Sequence, residues 1–558
     1  MKQIVAIIFL LQTVYTSAQS GKYYHWISLN GKDTSQYKMS KPEAFLSSKS
    51  IQRKNRLQIS IGMNDIPVNP VFTQTLSLLG VQVTGTSRWM NAILVESKQK
   101  KLSDTIRNLP FISSTTYLGE RKVLQGVVRK DIHELVETLE AKVNPSKQLE
   151  QDSDFYGKSA LQVKMLNTPA LHQLGFNGKG ITVAVLDAGF SKVNHISYFR
   201  HLFDSSQIVL TRDLVDGNTQ VYDDDAHGTG VLSCMAAYAP NRLVGTAYAA
   251  NYLLIRTEDA LNENLLEEAL WILGAELADS AGADLIQSSL GYNEFDDKQQ
   301  NHRLKELNGN TTLISKGATL AVAKGMVVVC SSGNEGDNNW RKIVAPADVK
   351  DVITVGGVDE TGNLALFSSI GPTADRRVKP DLVAMGERTM VLSENGIVYP
   401  GNGTSYACPL ICGTIACLMQ ACPITGTSAI AQAIKLSSDN YTRPNNYIGY
   451  GVPDAAMARA IMDSKDSLDR ITQNSLLDAR FIDERLHVAY ALNSPQKIQL
   501  IITDSTGYIV YSDRIKVKQA GIYRASLSKS NHWKKGNYGI QLITLTHSIT
   551  LYNLHKNQ

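Results

Sequence analysis

Missing from this sequence is any run of the roughly 20 consecutive apolar residues that a helix needs to cross a bilayer, so no transmembrane segment is expected. Neither sign of charge dominates: 56 Lys and Arg stand against 52 Asp and Glu in 558 residues, a formal net charge of +4. The stretch from Lys22 to Lys147 is richer in Lys and Arg, but these are scattered. They read as solvated surface, and no nucleic-acid partner is expected. Cysteine is scarce. The six present, Cys234, Cys330, Cys408, Cys412, Cys417 and Cys422, all lie mid-chain, several where helices take small residues. Most are expected to be free and buried, with no catalytic thiol, and an i to i+4 pair such as Cys408 and Cys412 is badly oriented for a bridge. No internal repeat or low-complexity tract stands out. A composition 43% hydrophobic and 19% charged is that of globular domains, three or four of them by length.

What is present begins at the N-terminus, where Lys2 precedes the apolar run Ile4 to Leu11 and the small residues Thr16-Ser17-Ala18 follow. This is the pattern of a secretory signal peptide over residues 1–18, and it places the protein outside the cell or on its surface. From Tyr23 to about Lys122 the pattern reads strand, helix, strands, helix, strand, a small α+β domain. A short helical stretch from Glu134 to Val143 and a polar run from Asn144 to Asp154 then read as a linker, so that domain and linker together span 19–150.

Beyond Gly178-Lys179-Gly180 the runs Ile181 to Leu186, Ile208 to Leu210, Tyr252 to Ile255, Asp284 to Ser289, Met326 to Cys330 and Val352 to Val355 alternate with helical stretches. Continuous apolar strands of this kind predict an α/β domain, a parallel sheet with helices on both faces, over 151–465. Functional groups of such sheets collect beyond the carboxyl ends of the strands. From about Leu476 the pattern turns to alternating strands, and 466–558 reads as a small β-sandwich.

Four sites carry chemistry. Asp187 closes the apolar strand Val183-Ala184-Val185-Leu186 and is followed by Ala188-Gly189; a carboxylate there needs a partner, though a turn aspartate fits as well. His227, in Asp225-Ala226-His227-Gly228-Thr229-Gly230, opens an apolar helix whose dipole is expected to favour the neutral imidazole a general base needs, with Gly228 and Gly230 leaving the ring unobstructed. Ser405, in Gly401-Asn402-Gly403-Thr404-Ser405-Tyr406-Ala407-Cys408-Pro409, stands at a glycine-rich turn into the helix Leu410 to Ala421, where a nucleophile or a helix cap is equally at home. Asn334, in Ser331-Ser332-Gly333-Asn334, follows a buried strand, either as an amide donor or as a turn residue.

Together these sites give acid, base and nucleophile in the order Asp, His, Ser within one α/β domain. With Phe367-Ser368-Ser369-Ile370-Gly371-Pro372 and Val378-Lys379-Pro380-Asp381, the stretch from Tyr156 to Met462 resembles the subtilase family. The resemblance implies a serine endopeptidase with the triad Asp187, His227 and Ser405. It implies an oxyanion hole from Asn334 and the Ser405 N–H, and a substrate-binding edge at Ser289, Leu290 and Gly291. Protein or peptide substrates are the implied partners. Two departures stand out: Gly230 replaces the second histidine of His-Gly-Thr-His, and Tyr406 and Cys408 replace commoner Met and Ala.

The N-terminal domain resembles the family's propeptide, an intramolecular inhibitor. Its stretch Trp89-Met90-Asn91-Ala92-Ile93-Leu94-Val95, with Leu46-Ser47 and Arg53, is similar to the pro-region of Bacteroidetes-type subtilases. The C-terminal stretch Gly536 to Leu542 with Ile549 to Tyr552 resembles type IX sorting domains, and a plain accessory sandwich fits equally. No cofactor is required and no metal ligand is assigned; calcium is common in the family, but no ligand loop of recognisable spacing supports it, and Asp223-Asp224-Asp225 reads as an acidic turn. Two other readings remain: a peptide ligase on the same triad, and an inactive subtilase fold serving surface adhesion.

Overall fold

Val183, Ala184, Val185 and Leu186 are buried on both faces of their strand, as are Leu253, Leu254 and Ile255, so each strand must be covered by helices above and below. The computed structural model bears this out and describes residues 22–32, 36–121, 154–423, 426–463, 474–482, 485–492, 494–517, 521–527, 533, 536–544 and 548–556. The signal-peptide segment, the helical stretch 134–143, the linker and the expected boundaries near 18, 150 and 465 lie outside the described residues.

The N-terminal unit runs β1 (Lys22–Leu29), α1 (Ser48–Arg56), α2 (Pro70–Leu78), β2 (Gln82–Ser87), β3 (Ala92–Ser97), α3 (Asp104–Arg107) and β4 (Ile112–Arg121). Two helices precede β2 where the sequence pattern suggested one. The sheet order is β2-β3-β1-β4, antiparallel throughout. One face buries Ile27, Leu76, Ile93 and Val95 against its own helices.

The central unit contributes β5 (Thr182–Asp187), β6 (Ile208–Asp213), α4 (His227–Ala236), β7 (Asn251–Arg256), α5 (Leu266–Ala281), β8 (Leu285–Ser288), α6 (Leu313–Ala323), β9 (Val327–Ser331), β10 (Ile353–Val358), β11 (Leu382–Met385) and α7 (Thr404–Ala421). Its seven strands lie in the order β11-β10-β9-β8-β5-β7-β6, all parallel. The six predicted strands are present. The seventh, β11, was not among the strands expected; its apolar run begins directly after Pro380-Asp381 and is ended by Gly386.

Helices α4 and α7 cover one face through Val231, Leu232, Leu410 and Ile411, while α5 and α6 cover the other through Trp271, Ile272, Ile314 and Ala318. By length and composition α7 could cross a membrane, but 83% of it is buried in this core. The other face of the N-terminal sheet, with Tyr24, Trp26 and Leu94, packs onto Leu266, Leu270 and Leu273 of α5.

After the central unit come β12 (Ser475–Ile482), β13 (Arg485–Leu492), β14 (Gln496–Asp504), β15 (Ile509–Val517), β16 (Gly521–Leu527), β17 (Gly536–Ile543) and β18 (Ser548–Lys556). They form sheets β12-β13-β16 and β15-β14-β17-β18. Val488, Tyr490, Leu500, Ile502, Ile540 and Leu542 fill the space between them, the sandwich expected.

Candidate active site

Parallel strands share one carboxyl end, so the residues just past β5, β8 and β9 are brought to one rim although they are far apart in sequence. Asp187 is the last residue of β5 and is fully buried. Its Oδ1 accepts from the Ala188 N–H at 2.8 Å and is hydrogen-bonded to His227 Nδ1, also at 2.8 Å. The carboxylate therefore has its partner, and that bond leaves Nε2 of the ring for other work. His227 is the first residue of α4, with a side chain 30% exposed, and its backbone N–H donates to Asp225 Oδ1 at 2.7 Å.

The expectation that the helix terminus would keep His227 neutral is not met. Burial does oppose the charged ring, but the Asp187 carboxylate, with Asp225 and Glu258 behind it, outweighs burial and pushes His227 up to about 9. The glycines also have reasons other than clearing the ring. A Cβ on Gly228 would sit 2.2 Å from the Gly189 carbonyl oxygen, so glycine lets α4 approach the turn after β5. A Cβ on Gly230 would meet the Tyr406 ring at 3.2 Å. The two departures from the family pattern are thus one: Tyr406 fills the space that a side chain at 230 would need.

Ser405 is the second residue of α7, after Gly403, whose φ of +147° is in the region that favours glycine. The hydroxyl is nearly buried and donates to the Ser289 carbonyl at 3.3 Å, not to His227. In return, Ser289 Oγ donates to the Ser405 carbonyl at 2.7 Å. That carbonyl is available because its helical partner would be residue 409, and Pro409 has no N–H. The imidazole ring lies 6.2 Å from that of Tyr406, the next residue along.

Asn334 is exposed just past β9, and its Oδ1 accepts from Thr404 N and Thr404 Oγ1, both at 2.9 Å. With the oxygen fixed this way, the amide nitrogen Nδ2 is turned toward the Gly403 side of the rim, 3.6 Å from where a Cβ on Gly403 would lie. Thr404 is a positioning residue that the sequence reading quoted within its motif without giving it a role. Of the three edge residues, Ser289 and Leu290 are buried and Gly291 is exposed. Sheet pairing of β8 stops at Ser288, so the backbone of 289–291 runs on beyond the ladder.

Around the rim, Asp224 pairs with Arg256 at 3.3 Å and Asp225 caps His227, so the acidic turn has structural partners. Glu258, two residues past β7, was not anticipated. Burial and the neighbouring carboxylates Glu263 and Asp187 hold it well above the usual carboxylate range, and burial with Asp296 pushes Glu263 up to about 7. All six cysteines are free, and all but Cys422 are buried, as expected. Burial pushes the Cys408 thiol up to about 12.

Residues 178–451 match the family model described as "Subtilase family", and residues 24–132 match that of the "Peptidase S8 propeptide domain, Bacteroidota". Among curated proteins, the major intracellular serine protease of Bacillus subtilis is 30% identical over 262 residues, 46% of this chain and 73% of that protein. Subtilisin J of Geobacillus stearothermophilus is 27% identical over 405 residues, 68% of this chain and 94% of that protein. The subtilisin of Bacillus pumilus is 29% identical over 297 residues, covering 52% and 94%.

Proposed function

The chain belongs to the subtilase family of serine-type endopeptidases, and from that premise we propose that it is exported, held inactive by its own N-terminal domain, and cleaves protein substrates through an acyl-enzyme on Ser405. The observation that carries this reading is the 2.8 Å hydrogen bond between buried Asp187 and His227 Nδ1. The N–H on Nδ1 points at the carboxylate, so Nε2 is the nitrogen that takes up and returns a proton.

In this scheme Ser405 Oγ turns from the Ser289 carbonyl toward Nε2, gives up its proton and attacks the scissile carbonyl. Hydrogen bonds in a resting site are often slack and tighten only when substrate binds. The oxyanion is received by Asn334 Nδ2 and the Ser405 backbone N–H, a pre-aimed pair because Thr404 fixes the other end of the amide. His227 then returns the proton to the leaving amine, and water repeats the sequence to release the acyl group. Substrate backbone pairs with 289–291 as an added strand. No step needs a cofactor.

Inhibition in cis is supported by where the N-terminal domain sits. Its sheet covers α5, and β4 ends with Arg121 paired to Asp259 and Asp216, both at 2.7 Å, one residue from Glu258. Export is supported by the Lys2, Ile4 to Leu11 and Thr16-Ser17-Ala18 pattern. A fluorophosphonate probe tests the chemistry. The processed protein should be labelled at Ser405 and the Ser405→Ala variant not at all. Labelling of another residue, or none of a correctly processed sample, would overturn the reading.

A further inference from the structure

Two loops at the carboxyl end of the central sheet close around one guanidinium. Arg121, the last residue of β4, donates from Nε to Asp259 Oδ2 and from Nη2 to Asp216 Oδ1, both at 2.7 Å, and from Nη1 to the Val215 carbonyl at 3.1 Å. Each of the three nitrogens thus has an acceptor, and only 11% of the side chain stays exposed. Acceptors placed for all three suit the flat fork of arginine and not the point charge of lysine.

The acceptors are held in place by their own domain. Asp259 is buried, with Oδ1 accepting from the Leu261 N–H at 3.3 Å and Oδ2 from Asn262 Nδ2 at 3.0 Å. Asp216 Oδ2 accepts from Arg256 Nη1 at 2.9 Å, and Asp213 Oδ1 accepts from the N–H groups of Val215 and Asp216 at 2.9 and 3.0 Å. The pocket therefore keeps its shape when the N-terminal domain departs, and what it loses is the cation. A buried carboxylate stripped of its cation is costly, so the vacated pocket favours another. It also stands on the catalytic rim. Arg256 Nε donates to the carbonyl of Ala188, next to Asp187, at 3.0 Å. Asp216 and Asp259 follow β6 and β7, which lie beside β5 on the side away from β8. Neighbouring strands are about 4.8 Å apart, so the segment 289–291 beyond β8 and the loop beyond β7 are separated by about 10 Å, a span of roughly three residues of extended chain.

We propose that in the processed protease Val215, Asp216 and Asp259 form a subsite for an arginine side chain of the substrate, which the N-terminal domain fills with Arg121 until it is removed. β4 ends at Arg121, so in the precursor this arginine precedes any bond cut to release the domain. A substrate lying along the same path carries its arginine on the amino-terminal side of the scissile bond. The inference rests on the reading of the chain as a protease with an N-terminal inhibitor. It adds a chemical feature of the substrate, and it makes the departing domain a competitor for the same pocket.

The test uses the processed enzyme and quenched peptides of one shared sequence that carry arginine, lysine or citrulline, the neutral isostere of arginine, at each upstream position in turn. At one position arginine should raise kcat/KM about tenfold or more over citrulline, as charge-assisted hydrogen bonds to a buried carboxylate require, and lysine should gain clearly less. Asp259→Asn and, separately, Asp216→Asn should bring the ratio of the arginine and citrulline peptides toward one, a ratio that cancels any general loss of activity. Fluorophosphonate labelling of Ser405 in the same parent sample separates the two readings. An unlabelled parent overturns the protease reading and the subsite with it, whereas a labelled parent with no position that prefers arginine overturns the subsite alone. A preference that survives both substitutions overturns it too, and a gain from lysine equal to that from arginine overturns the assignment to a guanidinium. If a variant yields no processed enzyme, the comparison in the parent, which needs no substitution, still decides.

Discussion

Asp187→Asn tests the electrostatics of the site most directly. Burial alone would hold His227 below its ordinary 6.5, yet the Asp187 carboxylate at 2.8 Å, helped by Asp225 and Glu258, carries it up to about 9. At about 1.4 kcal/mol per pH unit, that rise is worth about 3 kcal/mol in favour of the imidazolium. A general base works only when neutral, so kcat/KM should climb as pH rises through about 9 and level off above it.

In Asp187→Asn the neutral amide no longer holds the charge while burial persists, so the same limb should fall to 6.5 or below. The plateau should drop on the order of 10⁴-fold, because the amide no longer fixes the working tautomer. Stability follows the same sign. A folded-state value raised above the unfolded one gives stability that is fully present below about 6.5 and is lost as pH rises through about 9, and the variant should lack this slope. The assays are kcat/KM against pH on a quenched peptide, and thermal unfolding of Ser405→Ala with and without Asp187→Asn. A limb that stays in place when the carboxylate is removed would refute the reasoning, and so would a parent limb at 6.5.

Asn334→Ala should lower kcat by about 10² to 10³ with little change in KM, read from initial rates on a saturating substrate. Asp279→Ala removes the anion shared by Arg53, Lys54 and Arg88, leaving buried Arg53 without its carboxylate and Lys54 with Asp65 alone, at a cost of about 3–5 kcal/mol. In the uncleaved Ser405→Ala chain it should let the N-terminal domain unfold at lower urea than the rest, seen as early protease sensitivity before β4 ends. Gly230→His should destabilise by about 1–3 kcal/mol through collision with Tyr406, and adding Tyr406→Met should recover most of it; strictly additive losses in the double-mutant cycle would show that the two sites do not share space. Cys408, buried and with its thiol pushed up to about 12, should resist iodoacetamide at neutral pH, with activity unaffected, as followed by mass spectrometry.

The strands of the central sheet were legible because burial on both faces writes an unbroken apolar run, whereas β11, Leu382–Met385, is closed in between Pro380-Asp381 and Gly386, residues that read as a turn. The placement of Asp187, His227 and Ser405 at element boundaries was legible for a related reason: glycine next to a polar residue marks where backbone must turn or approach closely. What those glycines touch was not. That Gly228 meets a backbone oxygen and Gly230 meets Tyr406 depends on residues far away in sequence. The ionisation of His227 was misread because a local rule about helix termini, worth at most ~2 kcal/mol, competes with a carboxylate supplied by a different strand. That Glu258, Glu263 and Glu267 converge was not legible, because a loop and the start of a helix bring them together.

The interface between the N-terminal domain and α5 has a consequence for how the catalytic domain reaches its folded state. Asp279 and Glu276 stand in the last turns of α5, where a negative charge is disfavoured by the helix dipole, and both are buried. They are tolerable because the N-terminal domain supplies what they need. Arg53 and Arg88 pair with Asp279, Lys54 lies 3.2 Å from both Asp279 and Asp65, and Glu276 accepts from Ser87 Oγ and from the backbone N–H groups of Arg88 and Trp89. While the two domains are joined, the acidic end of α5 is satisfied and the helix can form against the sheet. Once they part, the same carboxylates must be met by water alone. Helix α5 also covers β5 and β7, the strands that present Asp187 and lead to Glu258, so the helix that backs the rim is the one on which the N-terminal domain is seated. The seating of the N-terminal domain on α5 therefore draws on one connected set of buried charges, Arg53, Lys54 and Arg88 against Asp279, with Glu276 held by Ser87 and the backbone of Arg88 and Trp89.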